Sequence, residues 1–372
     1  MGTTLEVHNS DRVTFRRCRR KWNWSSRLRE NLVPTTESRG PLWFGSGFHF
    51  ALEDFHGYNR FGDPRRAFDA YVEAHPKAAL PNDVDELVKL GNEMLTYYVE
   101  LWLPRHGALN TLWVDGMPQV EVSIEVSITD ALYEYMVGRD EYRILDTIRD
   151  QYGGQPDVVV HQTFDRVVED EDGRIFGIDY KTAKQFSPLG DLDKNPQAGQ
   201  YFWAMRQFYG DATEGIIWQQ HLKAVPQPPE PLKTGGFSLR KEQHTTYSMY
   251  RRALIDHFGK VPRGYVEILN HLATQETEEG DRYIRRDILR RNSHHGEAEE
   301  EKVIAEVAEM LNPNLPLYPN PTRDCNWDCP FKDACSAKDD SSDYQFMLES
   351  EFVQWDGYQD DWRARIQWPE AT

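Results

Sequence analysis

Apolar and polar positions repeat along this chain with two periods, which predict strands and helices in alternation. A period of two, or a short apolar run rich in β-branched residues, predicts strands at 119–128, 158–168, 174–181 and 215–225, after an extended lead at 5–7. A spacing of three and four predicts helices at 84–103, 241–258, 262–274 and 297–311. A further helix is expected to begin at Asn9 or Ser10, and Asp63 with Pro64 predicts the start of another.

The strands at 158–168 and 174–181 flank an acidic turn and form a predicted hairpin. Asp165 lies in the first strand. Asp179 and Lys181 lie two residues apart in the second, so their side chains share a face. Two carboxylates held close together repel each other unless a cation neutralises them, and a hard divalent cation is the usual choice. The hairpin therefore predicts a metal site, with an ordinary solvated hairpin as the alternative.

Two helices carry further polar groups. Gln197 and Tyr201 are four residues apart in an apolar helix after the hairpin, so they share one face. Upstream, a glycine-rich stretch opens an amphipathic helix that contains His49 and, one turn later, Glu53. His49 is one of 12 histidines and is not singled out by its chemistry alone. Glu53 could orient His49 or face solvent, and solvent is the favoured expectation.

The strand at 119–128 alternates apolar residues with polar ones. Glu121 and Glu125 lie on its polar side. Either could face a metal, but a solvated face is the favoured expectation.

These motifs, taken in order, resemble those of the PD-(D/E)XK nucleases, and in particular the RecB-like branch. They are Gly45-x-x-x-His49-x-x-x-Glu53, Asp165, Asp179-x-Lys181 and Gln197-x-x-x-Tyr201. The resemblance implies an α/β, restriction-endonuclease-like core with a mixed β-sheet flanked by helices. It also implies hydrolysis of DNA phosphodiesters with Mg²⁺ or Mn²⁺. Asp165, Asp179 and Lys181 would be catalytic, and the implied metal ligands are His49, Asp165, Asp179 and the Tyr180 carbonyl.

Within this resemblance the remaining residues also have expected roles. Lys181 would orient the attacking water or stabilise the transition state. Gln197 and Tyr201 would position the DNA strand. The activity implied is that of an exonuclease on single strands or DNA ends, in recombination, repair or phage DNA processing.

Charge restricts where DNA could bind. With 61 acidic and 43 basic residues the net charge is −18, which argues against indiscriminate coating of nucleic acid and requires a local basic path. The stretch 11–30 holds eight Arg or Lys against two acids and includes Trp22 and Trp24, a mixture that suits backbone tracking and base stacking. Packing of the arginine stems over these aromatic rings is an equally weighted alternative. The expected DNA contacts are Arg16, Arg17, Arg19 and Arg20, with Arg285 and Arg286 as a weaker second patch.

The four cysteines of the chain form a second pattern. Cys18 stands alone near the start, and Cys325, Cys329 and Cys335 lie close together near the end. The split resembles that of the iron–sulfur nucleases in the RecB-like group, the CRISPR-associated exonucleases and the AddB nuclease domain, and implies a [4Fe–4S] cluster that fastens the two ends together. Three residues separate Cys325 from Cys329, where that group commonly has two, so zinc remains an alternative.

Six segments are expected. They are an N-terminal basic segment with the first cysteine and the His49 helix (1–60), a helical insertion (61–115), the nuclease core (116–225), a helical region (226–312), the cysteine segment (313–340) and an acidic tail (341–372). The absence of a long apolar run and of a signal-peptide core predicts a cytoplasmic protein without a membrane partner. DNA is the expected ligand, and a helicase or recombination protein a possible partner. The alternatives are a DNA-end-binding subunit with weak nuclease activity and a zinc-stabilised structural DNA-binding protein.

Overall fold

The computed structural model of the protein describes residues 3–35, 40–76, 80–355 and 362–369. Within these ranges the strands are β1 (Thr4–His8), β2 (Leu32–Pro34), β3 (Asn110–Thr111), β4 (Trp113–Val114), β5 (Met117–Pro118), β6 (Val120–Ser127), β7 (Asp157–Glu169), β8 (Ile175–Ala183), β9 (Thr213–Leu222), β10 (Ile284–Arg290) and β11 (Phe352–Gln354).

The helices occupy both halves of the chain. They are α1 (Asn9–Arg17), α2 (Arg19–Ser25), α3 (Gly40–His56), α4 (Pro64–Glu73), α5 (Val84–Thr96), α6 (Leu103–His106), α7 (Thr129–Val137), α8 (Tyr142–Tyr152), α9 (Leu189–Asp193), α10 (Pro196–Tyr209), α11 (Tyr247–Phe258), α12 (Val266–Ala273), α13 (Ser293–Leu311), α14 (Lys332–Asp339) and α15 (Tyr344–Glu351). A π-helical stretch, Tyr97–Trp102, joins α5 to α6, and 3₁₀ turns lie at Gly210–Ala212, Arg263–Tyr265, Arg323–Asn326 and Trp362–Arg365.

The main sheet is built around β7. Along one edge β7 pairs with β6, antiparallel. Along the other edge its first half pairs with β1, parallel, and its last residues pair with β8, antiparallel. β9 then lies parallel to β8, and β10 antiparallel to β9. The sheet is therefore mixed, as the sequence predicted, and β7 changes partner between His161 and Arg166, where a gap opens between β1 and β8.

Helices cover both faces of this sheet. Alternate residues of β7, such as Val158, Val160 and Phe164, enter a core shared with α7, α8, α10 and α13. On the opposite face, Ile178 and Tyr180 of β8 pack with α3, α4 and α5. A mixed sheet flanked by helices confirms the predicted fold class.

Several helix boundaries differ from prediction. The helix predicted to end before Pro104 continues to His106, because Pro104 lies in the first turn of α6, where its missing N–H forfeits no helical bond. α11 begins at Tyr247, well after 241, with Thr246 as its cap. The predicted cap at Asp63 is confirmed, since its side chain accepts from the Arg65 N–H.

The division of the chain into six segments stays a prediction. In the acidic tail, β11 pairs with β2, while 356–361 and 370–372 lie outside the described residues. Among the helices that the structure describes, none is long and apolar enough to cross a membrane.

Candidate metal centre and active site

The candidate site forms where β7 and β8 separate. Their ladder ends at the pair Arg166 and Ile178. At the next position the Asp165 carboxylate accepts a hydrogen bond of 2.6 Å from the backbone N–H of Tyr180, in place of a main-chain partner. The predicted proximity of Asp165 to the second strand is thereby confirmed. The Tyr180 ring is buried on the opposite face of the sheet, and metal ligation by its carbonyl stays a prediction.

Asp179 and Lys181 share one face of β8, as predicted. Lys181 Nζ lies 2.7 Å from Asp179 Oδ2. The other oxygen, Oδ1, is 3.2 Å from Tyr201 Oη and 3.3 Å from Gln197 Nε2, and these two α10 side chains also bond each other at 2.5 Å. The structure thus places Gln197 and Tyr201 on a carboxylate, which fixes its orientation. Whether they also touch DNA stays a prediction.

α3 delivers His49 to this site. The apolar face of the helix packs into the core and consists of Phe44, Phe48, Ala51 and Leu52. A glycine is required at position 47, because a Cβ there would lie 2.6 Å from the ring of Tyr71 on α4. The close packing of the two helices fixes α3, and His49 Nδ1 lies 3.3 Å from Asp165 Oδ1.

Glu121 of β6 completes the group. Donor atoms of His49, Glu121 and Asp165 all lie within 4.8 Å of one another. Glu121 has a φ of 48°, a left-handed conformation that is uncommon for a residue with a side chain. The β6–β7 ladder pairs Val120 and Val122 but skips Glu121, so the strand is distorted where the carboxylate faces the site. Backbone strain of this kind concentrates at functional positions.

The three other acidic expectations have different outcomes. The expectation that Glu121 faces solvent is wrong, because the alternation of apolar and polar residues gives no sign of a single left-handed residue in the strand. Glu125 is more than half exposed, as expected. Glu53 follows neither expectation. Both of its carboxylate oxygens accept hydrogen bonds from the guanidinium of Arg363.

Charge is concentrated in this small volume. Burial lowers the pKa of His49, but the nearby carboxylates, above all Asp165, outweigh it and raise the pKa to about 9. Burial and the charge of Asp165 raise the pKa of Glu121 to about 7. Burial likewise raises the pKa of Asp179 to about 6. Burial acts in the same direction on Asp165, but the charge of His49 holds the pKa of Asp165 below its usual value. Excess negative charge therefore collects around one imidazole.

The donor set fits a hard divalent cation. Two carboxylates and an imidazole converge within 4.8 Å, and Asp179 lies outside this group but close enough to act electrostatically on Asp165 and His49. Such oxygen-rich sets suit Mg²⁺ or Mn²⁺ better than soft metals. A cation there would also relieve the repulsion between carboxylates.

The predicted basic run is extensively paired with acids. Arg16 bonds Glu306, and Arg19 bonds Glu309, both on α13. The remaining pairs join Arg17 to Asp324 and Asp328, and Arg20 to Asp339. These pairs offset much of the local positive charge, and DNA contact by the four arginines stays a prediction.

Two other DNA-facing expectations are corrected. Trp22 and Trp24 are almost completely buried, so their rings pack into the protein and cannot stack on bases. Arg286 is also buried, lies 4.5 Å from the Trp102 ring centre and bonds Gln219. Arg285 turns back to Asp287. Arg286 therefore has a structural role in β10, whereas Arg285 is 30% exposed and its contact with DNA stays a prediction.

The four cysteines are free thiols near one junction of the two chain ends. Cys18 separates α1 from α2 and accepts from the Lys21 N–H at 3.4 Å. Arg20 Nη1 lies 3.3 Å from Cys335 Sγ. Burial raises the pKa of the Cys329 thiol, and Cys325 and Cys18 lie close enough to add to this effect.

These thiols are neighbours without forming a tight group. Among the described residues, no three of them bring their sulfur atoms within 4.8 Å of one another. Tetrahedral zinc, with Zn–S bonds of about 2.3 Å, requires sulfurs about 3.8 Å apart. The structure therefore does not show a formed zinc site, and the cluster stays a prediction.

Comparison with known proteins covers most of the chain. A sequence model described as the PD-(D/E)XK nuclease superfamily matches residues 10–336, which include the hairpin, His49 and all four cysteines. No curated protein gives a significant match.

Proposed function

The chain belongs to the PD-(D/E)XK nuclease superfamily, and from this premise we propose that it is a metal-dependent deoxyribonuclease. The observation that supports this most directly is the convergence of His49, Glu121 and Asp165 within 4.8 Å. The proposed ligands of Mg²⁺ or Mn²⁺ are His49, Glu121, Asp165, Asp179 and the Tyr180 carbonyl. When bound, the cation would act as a Lewis acid and offset negative charge on the scissile phosphate.

The protein's own groups would do the rest of the chemistry. Lys181 is bonded to Asp179, but its side chain is 43% exposed, so its ammonium can also reach a phosphate oxygen or an attacking water. A cation placed there stabilises the charge that develops in the transition state. Gln197 and Tyr201 hold Oδ1 of Asp179, which keeps that carboxylate in one orientation during the reaction.

The finer assignment follows the order of the motifs. We propose membership of the RecB-like branch and exonuclease activity on single strands or DNA ends, in recombination, repair or phage DNA processing in the cytoplasm. A helicase or recombination protein would be the partner. The alternative, a DNA-end-binding subunit with weak nuclease activity, would retain DNA binding but show little metal-dependent digestion.

For the cysteines we propose a [4Fe–4S] cluster. The support is that four free thiols from both ends of the chain surround one junction, and that thiolates are the ligands of such clusters. A cluster of four irons spaces its sulfur ligands more widely than a single zinc ion does. Iron and sulfide analysis of anaerobically purified protein tests this. Full zinc occupancy without iron would overturn it.

Digestion of end-labelled DNA tests the catalytic proposal. Single- and double-stranded substrates are incubated with Mg²⁺, Mn²⁺ or EDTA. We expect digestion with either metal and none with EDTA, and loss of digestion for Asp179→Asn. Lys181→Ala should also digest DNA far more slowly. Its matched control is Lys89→Ala, which should digest normally because Lys89 is 78% exposed on α5. Digestion that persists in EDTA, or none under any condition, would contradict the proposal.

A further inference from the structure

A polar cleft of about 830 Å³ is lined by Gln197 and Tyr201 of α10, by residues 161–163 of β7 and by the end of β1. It lies at the gap between β1 and β8, where β7 changes its pairing partner. His161 and Thr163 of β7 line the cleft, and Asp165 lies two residues beyond Thr163 in the same strand. His161 therefore lies about 13 Å from Asp165 along the strand, at about 3.3 Å per residue. The cleft borders the metal centre, because Gln197 and Tyr201 line it and also bond Asp179. Its volume is that of a site for a small ligand.

Flat side chains form one end of the cleft. The rings of His8 and His161 pack with their centres 4.7 Å apart. Arg27 Nη1 lies 3.4 Å from His8 Nε2, and the guanidinium lies 4.0 Å from the centre of the Trp355 ring. His8 and His161 are about one quarter exposed and Arg27 is 41% exposed. Aromatic rings and guanidinium planes are the surfaces on which proteins stack unpaired bases.

The polar groups of the cleft suit bases as well as phosphate. Gln162 is 5% exposed, lines the cleft, and its Oε1 has no hydrogen-bond partner within the described part of the chain. This oxygen is itself almost inaccessible to solvent, so contact with a base depends on the rings of His8 and His161. Burial, then the charge of Arg27, lowers the pKa of His8, which favours the neutral ring. Arg27 remains the cation available to a phosphate, although Glu6 lies 4.0 Å away.

We propose that this cleft binds the unpaired nucleotides next to the scissile phosphate, with a base against the His8–His161 pair and the backbone near Arg27. The inference rests on the proposed nuclease function and specifies the form of its substrate. Bases in a duplex are already stacked, so only a strand with free bases gains from these rings. The bound strand would run from Gln197 and Tyr201 toward β1.

A combined protein and DNA substitution tests the stacking contact. His161→Ala is made in a Lys181→Ala background, in which cleavage should be at least about a hundredfold slower. Affinity for a fluorescein-labelled single strand is measured by anisotropy. We expect affinity to fall about tenfold, within the range for loss of base–aromatic stacking. In the same assay, DNA strands that each lack one base are compared, and at one position the missing base should lower the affinity of the Lys181→Ala protein by a similar factor. That strand should bind the His161→Ala, Lys181→Ala protein no more weakly than the intact strand does, because both changes remove the same contact.

Three further variants complete the test. His161→Phe keeps a flat ring and should bind as tightly as the His161 protein, which guards against a folding defect in the Ala variant. Arg27→Gln should weaken binding and reduce its salt dependence by about one unit of slope. His294→Ala is the matched control, since that histidine is 85% exposed on α13.

The outcomes separate the two proposals. If wild-type protein digests DNA but His161→Ala binds with unchanged affinity, or loses affinity additively with the abasic site, the cleft assignment is overturned and the nuclease stands. If wild-type protein neither digests nor binds single strands, both proposals fail.

Discussion

Arg12 joins three helices through a fully buried guanidinium, and its removal should strongly destabilise the protein. Its side chain is 0% exposed. Nε bonds Glu306 of α13 at 2.8 Å, Nη1 bonds Gln200 of α10 at 2.7 Å, and Nη2 bonds Glu299 of α13 at 2.9 Å. The perturbation is Arg12→Met, which preserves much of the side-chain volume but removes the charge and all three bonds.

The structure sets the magnitude of the effect. Removing one partner of a buried ion pair costs about 3–5 kcal/mol, because the other charge is left buried and uncompensated. Here Glu299 is 6% exposed but retains Lys302 at 3.5 Å, and Glu306 is 20% exposed and retains Arg16. Partial compensation places the expected loss at the lower end, about 3 kcal/mol of unfolding free energy.

Urea unfolding, followed by tryptophan fluorescence, measures this loss. The matched control is Arg252→Met, because Arg252 also bonds a carboxylate, Asp256, at 2.9 Å but is 78% exposed, so it should lose at most about 0.5 kcal/mol. The double variant Arg12→Met with Glu299→Leu should recover part of the loss, since it removes the stranded carboxylate. A loss below about 1 kcal/mol for Arg12→Met would refute the reasoning, because it would equal the effect of a surface pair.

Single substitutions in the site and the cysteine segment give further tests. Lys181→Ala should lower the cleavage rate at least about a hundredfold with DNA binding retained; near-normal digestion would remove its catalytic role. Glu121→Gln should lower activity yet raise the melting temperature in EDTA, because it removes a buried charge that repels Asp165; an unchanged or lower melting temperature would contradict this. Cys18→Ser should lose iron and melt earlier, and a variant that keeps both would exclude Cys18 as a ligand. Arg17→Gln should flatten the salt dependence of DNA binding by at most about one unit if it contacts phosphate; an unchanged slope assigns Arg17 to its ion pairs alone.

The hairpin was predictable because its signals are local. Asp165, Asp179 and Lys181 lie within two strands joined by a short turn, and strand alternation alone places the last two on one face. The observed register keeps the apolar residues in the core, since a shift by one residue would expose that face. The bonds of Gln197 and Tyr201 to Asp179 could not be predicted from local signals, because they depend on the point at which α10 crosses the sheet.

Glu121 shows where strand periodicity fails. Alternation assigns side chains to faces on the assumption of a regular backbone. A single residue with a φ of 48° breaks that assumption, and no glycine or proline within 119–128 signals it. The distortion is stabilised by its surroundings, here the flanking pairs of β6 with β7 and the charged neighbour His49. A polar residue in a half-exposed strand is therefore weak evidence for solvent when a metal site lies on the adjacent strand.

The basic run shows a different limit, which concerns distance along the chain. Counting charges within 11–30 finds a positive segment, but the partners of Arg16, Arg17, Arg19 and Arg20 are acids of α13 and of the cysteine segment, about 290 to 320 residues later. A local count cannot detect such partners. Their consequence is structural, because the pairs of Arg17 and Arg20 hold the start of the chain against 324–339 and so bring Cys18 near Cys329. The charge pattern that suggested a DNA surface therefore also holds together the two parts of the chain that carry the cysteines.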